Sequence, residues 1–344
     1  MILLAPSHQG SPGKRVVKRL LLLLYYFLLS VPGIKSTIES TKSCLHILAE
    51  KGNCELTKIL LDQMPSSTRR SELLKATVLT ELEGQRPRSL ASIHLAALHG
   101  HEELVELFLE NGIDVNTRSS RDDTPVLLAA RGNHVDTVRL LIRRGADLRL
   151  ENDENSTPLY WAVRYGFLKV VRVLLEKERD GVGQRRMLGL ETPIVLASAL
   201  GHTEIVGVLL DRGADVGTTT SQGMTALMAA ASEGNDDVVE LLVRRGWMDE
   251  LDRVDASGNT ALLHAARAGN VATMQILVDH GASMDAENRR NETVWHHAIR
   301  RDDGDDFLRA VAALYRRAKG LDGQQTMEFA KGSSPLQVGH IYQF

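Results

Sequence analysis

Histidines, arginines and a few short glycine-bearing segments are the residues of this chain whose types and spacing invite chemistry. His101-Glu102-Glu103-Leu104-Val105 opens like a zinc-protease helix, in which two histidines one turn apart hold the metal, but no second histidine follows one turn later. Gly181-Val182-Gly183-Gln184-Arg185-Arg186 starts like a dinucleotide loop, then places arginine where a third glycine must pack, with no strand before it. Neither a phosphate-cradling GxxxxGK segment nor a GxSxG nucleophile turn occurs. Asp302-Asp303-Gly304-Asp305-Asp306 lacks the alternating ligands and terminal glutamate of a calcium loop and reads as a solvated turn. Cys44 and Cys54 are too few for a disulfide framework, lack zinc-site spacing and are expected to be buried, reduced thiols. The histidines have no cysteine, serine or carboxylate partner at catalytic spacing. No catalytic residue, cofactor or metal is expected.

A threonine-headed unit organises the chain instead. It reads Thr124-Pro125-Val126-Leu127-Leu128-Ala129-Ala130, Thr157-Pro158-Leu159-Tyr160-Trp161-Ala162, Thr192-Pro193-Ile194-Val195-Leu196-Ala197, Thr225-Ala226-Leu227-Met228-Ala229-Ala230 and Thr260-Ala261-Leu262-Leu263-His264-Ala265. Successive threonines stand 33, 35, 33 and 35 residues apart. The frame extends back to Ala91-Ser92-Ile93-His94 and forward to Thr293-Val294-Trp295-His296-His297-Ala298, each offset by 33, with a weaker first copy at Ser43-Cys44-Leu45-His46. Threonine before an apolar run suits a helix N-cap, and proline after it fits the first turn. A glycine then recurs at Gly52, Gly100, Gly166, Gly201, Gly234 and Gly269, with Asn133 in the copy headed by Thr124, as a left-handed turn between two short helices requires. Second runs such as Val138, Leu140, Leu141 and Ile142 carry one apolar face. One short pair of helices cannot bury that face alone, so the core must form by stacking.

The pattern resembles the ankyrin repeat family, TPLHxAA then GH, VVxLLL and GADVN, over about residues 40–319. The resemblance implies an all-α repeat solenoid of stacked helix-turn-helix units with short β-hairpin fingers. Seven to eight units start near 40, 88, 121, 154, 189, 222, 257 and 290. An insertion at 65–88 separates the first two heads by 48 residues, with extra helical turns expected around Glu72 to Leu82. The last unit has Asp302 at the turn-glycine position and no finger after Tyr315-Arg316-Arg317, the mark of a capping repeat, and 320–344 reads as a flexible tail. His46, His94 and His296 fall where the family's structural histidine sits, and His101, His134 and His202 fall in the helix-joining turn.

The resemblance further implies a non-catalytic protein-binding scaffold or adaptor, whose partner touches the concave face, the finger tips and the exposed ends of the first helices. Those ends carry Leu98, His99, Arg131, Arg164, Tyr165, Ala199, Leu200, Ser232, Glu233, Arg267, Ala268, Arg300 and Arg301. Five are arginines, which grip carboxylates in bidentate fashion and favour a partner with an acidic surface. A solvated helix face is the competing reading. Formal net charge is -3, so no nucleic acid is expected. In residues 1–39, Lys14, Arg15, Lys18 and Arg19 precede the apolar run Leu20 to Leu29, too short to cross a bilayer as a helix. It fits a helix capping the first repeat, a signal-like or membrane-associating segment, or a misassigned gene start. The expectation is a monomer in the cytoplasm or nucleus. The alternative is a secretory-pathway or membrane-associated protein held through residues 16–31.

Overall fold

A computed structural model describes residues 45–64, 67–80, 88–177, 193–215, 217–245, 251–300 and 305–320. They fall into two compact units, one ending at Pro158 and one starting at Leu159. The amino-terminal segment, Cys44, Asp302 and the tail beyond 320 lie outside the described residues.

In the first unit, helical residues 45–51 precede α1 (Cys54–Asp62), α2 (Ser67–Lys75), β1 (Thr77–Thr80), β2 (Arg88–Ala91), α3 (Ser92–Leu98), α4 (Glu102–Glu110), α5 (Pro125–Arg131) and α6 (Val135–Arg143). α7 (Pro158–Arg164) begins at the division. The second unit continues with α8 (Leu168–Lys177), α9 (Pro193–Ala199), α10 (Thr203–Asp211), α11 (Ala226–Glu233), α12 (Asp236–Arg244), α13 (Ala261–Ala268), α14 (Val271–Asp279), α15 (Val294–Arg300) and α16 (Asp305–Lys319).

The threonines cap as their position requires. Thr124, Thr225 and Thr260 have extended backbones, and their hydroxyls accept the N–H groups of Leu127, Met228 and Leu263. Where Ala91 offers no oxygen, the Ala91 N–H instead donates to Nδ1 of His94 at 3.1 Å. First helices are buried nearly all round, as Pro125 through Ala130 show, whereas second helices bury one face, such as Val138, Leu140 and Leu141. Packing follows the chain: in the second unit α9 lies on α11, α11 on α13 and α13 on α15.

The turn glycine has two jobs. At Gly100 φ is +74°, and a Cβ there would stand 2.2 Å from Nδ1 of His134, a residue of the next repeat. That ring lies close because its Nε2 donates to the carbonyl of Leu98 at 2.9 Å, one of the orphan acceptors at the end of α3. His101 meets Glu50 likewise at 2.8 Å. In the second unit His202 meets the Arg164 carbonyl beside Gly166, and then asparagine takes over: the Asn235 amide donates to Ser198 and Ala199 across Gly201, and that of Asn270 to Ala231 and Ser232 across Gly234.

Connectors close as hairpin turns tied to one another. Ser119 N–H donates to Asp123 O at 2.9 Å, and Asp153 N–H donates to Arg121 O at 3.0 Å to join that turn to the next. The insertion departs from expectation. Its helix ends at Lys75 rather than running to Leu82, and Thr77-Val78-Leu79-Thr80 instead pairs antiparallel with Arg88–Ala91, Thr77 opposite Ala91. A run of β-branched residues favours a strand over another helical turn. Cys54 is also not the buried thiol expected: it is half-buried in the first turn of α1 and free. Its thiol pKa is raised, first by partial burial and then by the nearby carboxylate of Glu103. The last described helix, α16, buries Phe307, Val311, Leu314 and Tyr315 while Arg316, Arg317 and Lys319 face solvent.

Candidate partner-binding surface

The proposed contact residues sit where each first helix runs out, just before the turn. In the first unit Leu98 and Arg131 are half-buried and His99 is exposed, its ring 6.2 Å from that of His101. In the second unit Arg164, Tyr165, Leu200, Glu233, Arg267 and Arg300 are all exposed, and Arg301 lies outside the described residues. Tyr165 (45% exposed) stacks on Trp161, with centroids 5.6 Å apart and planes 18° apart, and Leu200 is 44% exposed. Both offer apolar area to a partner.

The arginines are not a loose row of charges, because each described one in the second unit is tethered. Arg164 donates from Nη1 to the Tyr160 hydroxyl at 2.9 Å and lies 5.9 Å over the Tyr160 ring. Arg267 donates from Nη2 to Nδ1 of His264 at 3.4 Å, and Nε2 of that ring donates to Oδ2 of Asp255 at 2.9 Å. Burial lowers the His264 pKa against the pull of Asp255, so the ring is neutral with its proton toward the carboxylate. Burial acts to raise Asp255, but hydrogen bonds from Asn259, Ser257 and His264 prevail and its pKa is lowered. Arg300 pairs through Nη1 with Oε1 of Glu292. The Asn288 amide donates to Oε2 of Glu292 at 2.9 Å, and together these contacts hold that carboxyl at about 2.

These last residues line one cleft of about 420 Å³ in the second unit, walled by Ser257, Asn259, Arg267, Asn288, Arg290, Glu292, His297 and Arg300. The finger turns preceding α13 and α15 form its floor, joined by the Arg289 N–H donating to Ser257 O at 3.0 Å. His297 is 8% exposed, and its Nε2 is buried with no hydrogen-bond partner. An unpaired buried polar atom of this kind costs about 1–3 kcal/mol. Burial lowers the His297 pKa; Glu292 opposes that shift, while Arg267 and Arg300 add to it.

Of the residues singled out from sequence, the cleft therefore gathers Arg267 and Arg300. Asn288, Arg290, Glu292 and His297 were missed. One signal for them exists: Asn152, Asp255 and Asn288 each stand five residues before a threonine head, and Asp123 and Glu292 stand directly before one. Among the described residues no cluster of His, Cys, Asp or Glu could hold a metal ion, and no helix is long and apolar enough to cross a membrane.

A family model for ankyrin repeats (3 copies) matches residues 93–186, 181–249 and 246–322. Curated relatives match over short stretches. The E3 ubiquitin-protein ligase XBAT33 of Arabidopsis thaliana is 49% identical over 55 residues, 16% of this chain and 11% of that protein. The probable E3 ubiquitin-protein ligase XBOS33 of Oryza sativa subsp. japonica is 46% identical over 55 residues, with the same coverage. Ankyrin repeat domain-containing protein 13B of Mus musculus is 45% identical over 53 residues, 15% of this chain and 8% of that protein. The chain thus spans about a tenth of the length of the curated relatives it matches. The human ASB11 ankyrin repeat domain superposes with a TM-score of 0.57 at 25% identity, covering 65% of this chain and 98% of that one.

Proposed function

Because the chain belongs to the ankyrin repeat family, we propose that it is a non-catalytic adaptor that grips an acidic protein surface with the exposed ends of its first helices and its fingers. A protein-interaction role follows from the family; the acidic partner and the contact residues are our reading. The observation that carries it is the tethering of Arg164, Arg267 and Arg300 by Tyr160, His264 and Glu292. Exposed arginines already held in one orientation lose less rotamer freedom on binding, and Tyr165 and Leu200 supply apolar anchors nearby in the chain's repeat register. Residence in the cytoplasm or nucleus goes with this reading. The ligase activity named for two relatives stays with those proteins, since the match covers 11% of each.

The test compares proteins captured by the intact chain with those captured by Arg164→Glu/Arg267→Glu/Arg300→Glu at equal thermal stability. Partners with acidic surfaces are expected to be lost from the variant. An unchanged set would reject this surface.

A further inference from the structure

We propose that residues 16–31 of this chain cover the first repeat: the apolar run Leu20 to Leu29 packs as a helix on a face formed by Ile47 and, on α1, by Leu56, Ile59 and Leu60. Ile47 is 55% exposed, and the three α1 residues are only half-buried. The same positions one repeat later hold Leu95, Leu104, Leu107 and Phe108, and all four are buried. Two repeats later they hold Leu128, Thr137, Leu140 and Leu141, again all buried. The last repeat shows which neighbour does the covering. There His297 takes the position of Ile47 and is buried, with α15 packed on the preceding α13, whereas Ile299 takes the position of the buried Ala49 and is exposed. The face of Ile47 is therefore the one a preceding unit closes.

A stacked array stays soluble when its outermost face is polar or covered, and this face is aliphatic. The chain carries a cover at the distance the repeat uses. Leu109 stands 17 residues before Val126, and Leu210 stands 17 before Leu227, the step from the last apolar residue of one second helix to the first apolar residue of the next unit. Leu29 stands 16 residues before Leu45. Ten residues of helix span about 15 Å, the reach of the nine-residue α1 alongside. Lys14, Arg15, Lys18 and Arg19 lead into the run, and the exposed Glu50 and Glu55 flank the turn where α1 begins, so a cover running parallel to α1 brings opposite charges together. A run committed to this face is kept from a bilayer and retained as part of the fold.

Hydrogen exchange read by mass spectrometry on the full chain tests this, with α3 to α6 as the internal measure of folding. Amides of residues 20–29 should exchange at least about tenfold more slowly than an unstructured chain. Ile47→Asp puts a charge beneath the cover and should return them to within about twofold of the unstructured rate, while α3 to α6 keep their protection. Leu21→Asp/Leu24→Asp should in turn speed exchange across α1. Free exchange of residues 20–29 in the parent, protection there that Ile47→Asp leaves intact, or an α1 indifferent to the leucine changes would overturn the assignment. So would a dimer in sedimentation velocity that Ile47→Asp dissociates, which gives the face to a second copy. A product from eukaryotic cells that begins beyond Leu29 would also overturn it, since the run would then be a removed leader. Partner capture by the exposed arginines is measured separately, and the adaptor reading stands or falls without this one.

Discussion

His134 Nε2 donates to the Leu98 carbonyl at 2.9 Å, and its ring fills the space into which a side chain at Gly100 would project. One repeat thereby closes the end of the previous repeat's first helix, provided the intervening turn carries no Cβ. Gly100→Ala should cost about 3 kcal/mol, combining the left-handed backbone with crowding against the ring. Gly145 is the control: its φ is +90° but a Cβ would meet nothing within 4 Å, so Gly145→Ala should cost only about 1–2 kcal/mol. Urea unfolding of both variants measures the gap, and equal losses would mean the ring yields without penalty.

Asp255 anchors the finger turn before α13. Oδ1 accepts the N–H groups of Ser257 and Asn259, both at 2.8 Å, and Oδ2 accepts from the Asn259 amide and His264. Asp255→Ala leaves the buried His264 ring N–H without its partner, along with the less buried donors of Ser257 and Asn259, and should cost about 3 kcal/mol. It should also release Arg267, seen as faster side-chain relaxation of its guanidinium. A variant within about 1 kcal/mol of the parent, outside the range for broken charged hydrogen bonds, would show that solvent replaces the carboxylate.

Helix caps and turn glycines were legible because each depends on local backbone demands that fix one residue type at one position. Asn133 shows how far this reaches, since its φ of +61° puts the substitute in the conformation the glycines adopt. The cleft was not legible. It arises where Glu292, before one threonine, meets Arg300 eight residues later, across from Arg267 on α13, and those separations carry no period. The insertion misled for a different reason. Leu73, Leu74 and Ala76 continue an apolar run into Val78 and Leu79, so helix and strand share one hydrophobic stretch, and strand pairing with Arg88–Ala91 decides between them.

Stability should fall as the solution is acidified below neutrality. His94, buried against the Thr117 carbonyl and near Asp123, and His264, between Asp255 and Arg267, both have pKa values lowered by burial. Each remains neutral in the folded chain after its unfolded counterpart has begun to take up a proton near pH 6.5. Unfolding therefore binds protons below that pH, and stability present above about 6.5 declines by up to about 1.4 kcal/mol per pH unit for each such histidine. Urea midpoints between pH 7.5 and 5 should show the decline, and His94→Gln should flatten it. A slope unaltered in that variant would place the proton uptake elsewhere. Glu292, held near 2, adds a separate loss only in the acid range between its unfolded value and about pH 2.

The last described helix, α16, contacts α14 and α15 and buries Leu314 (3% exposed) beside Tyr315, whose ring packs edge-on to Trp295 at 5.4 Å. In a stacked array the end repeat has a neighbour on one side only, so it loses cooperativity before the interior does. Leu314→Ala should cost about 3 kcal/mol locally. Hydrogen exchange followed by mass spectrometry should then show α15 and α16 losing protection while α11 and α13 keep theirs. Ending the chain after residue 304 should go further, baring the apolar flank that Phe307, Val311 and Leu314 cover and driving self-association at micromolar concentration. Uniform loss of protection across α11 to α16 in Leu314→Ala would show instead that the second unit unfolds as one block, with α16 a full member of the core.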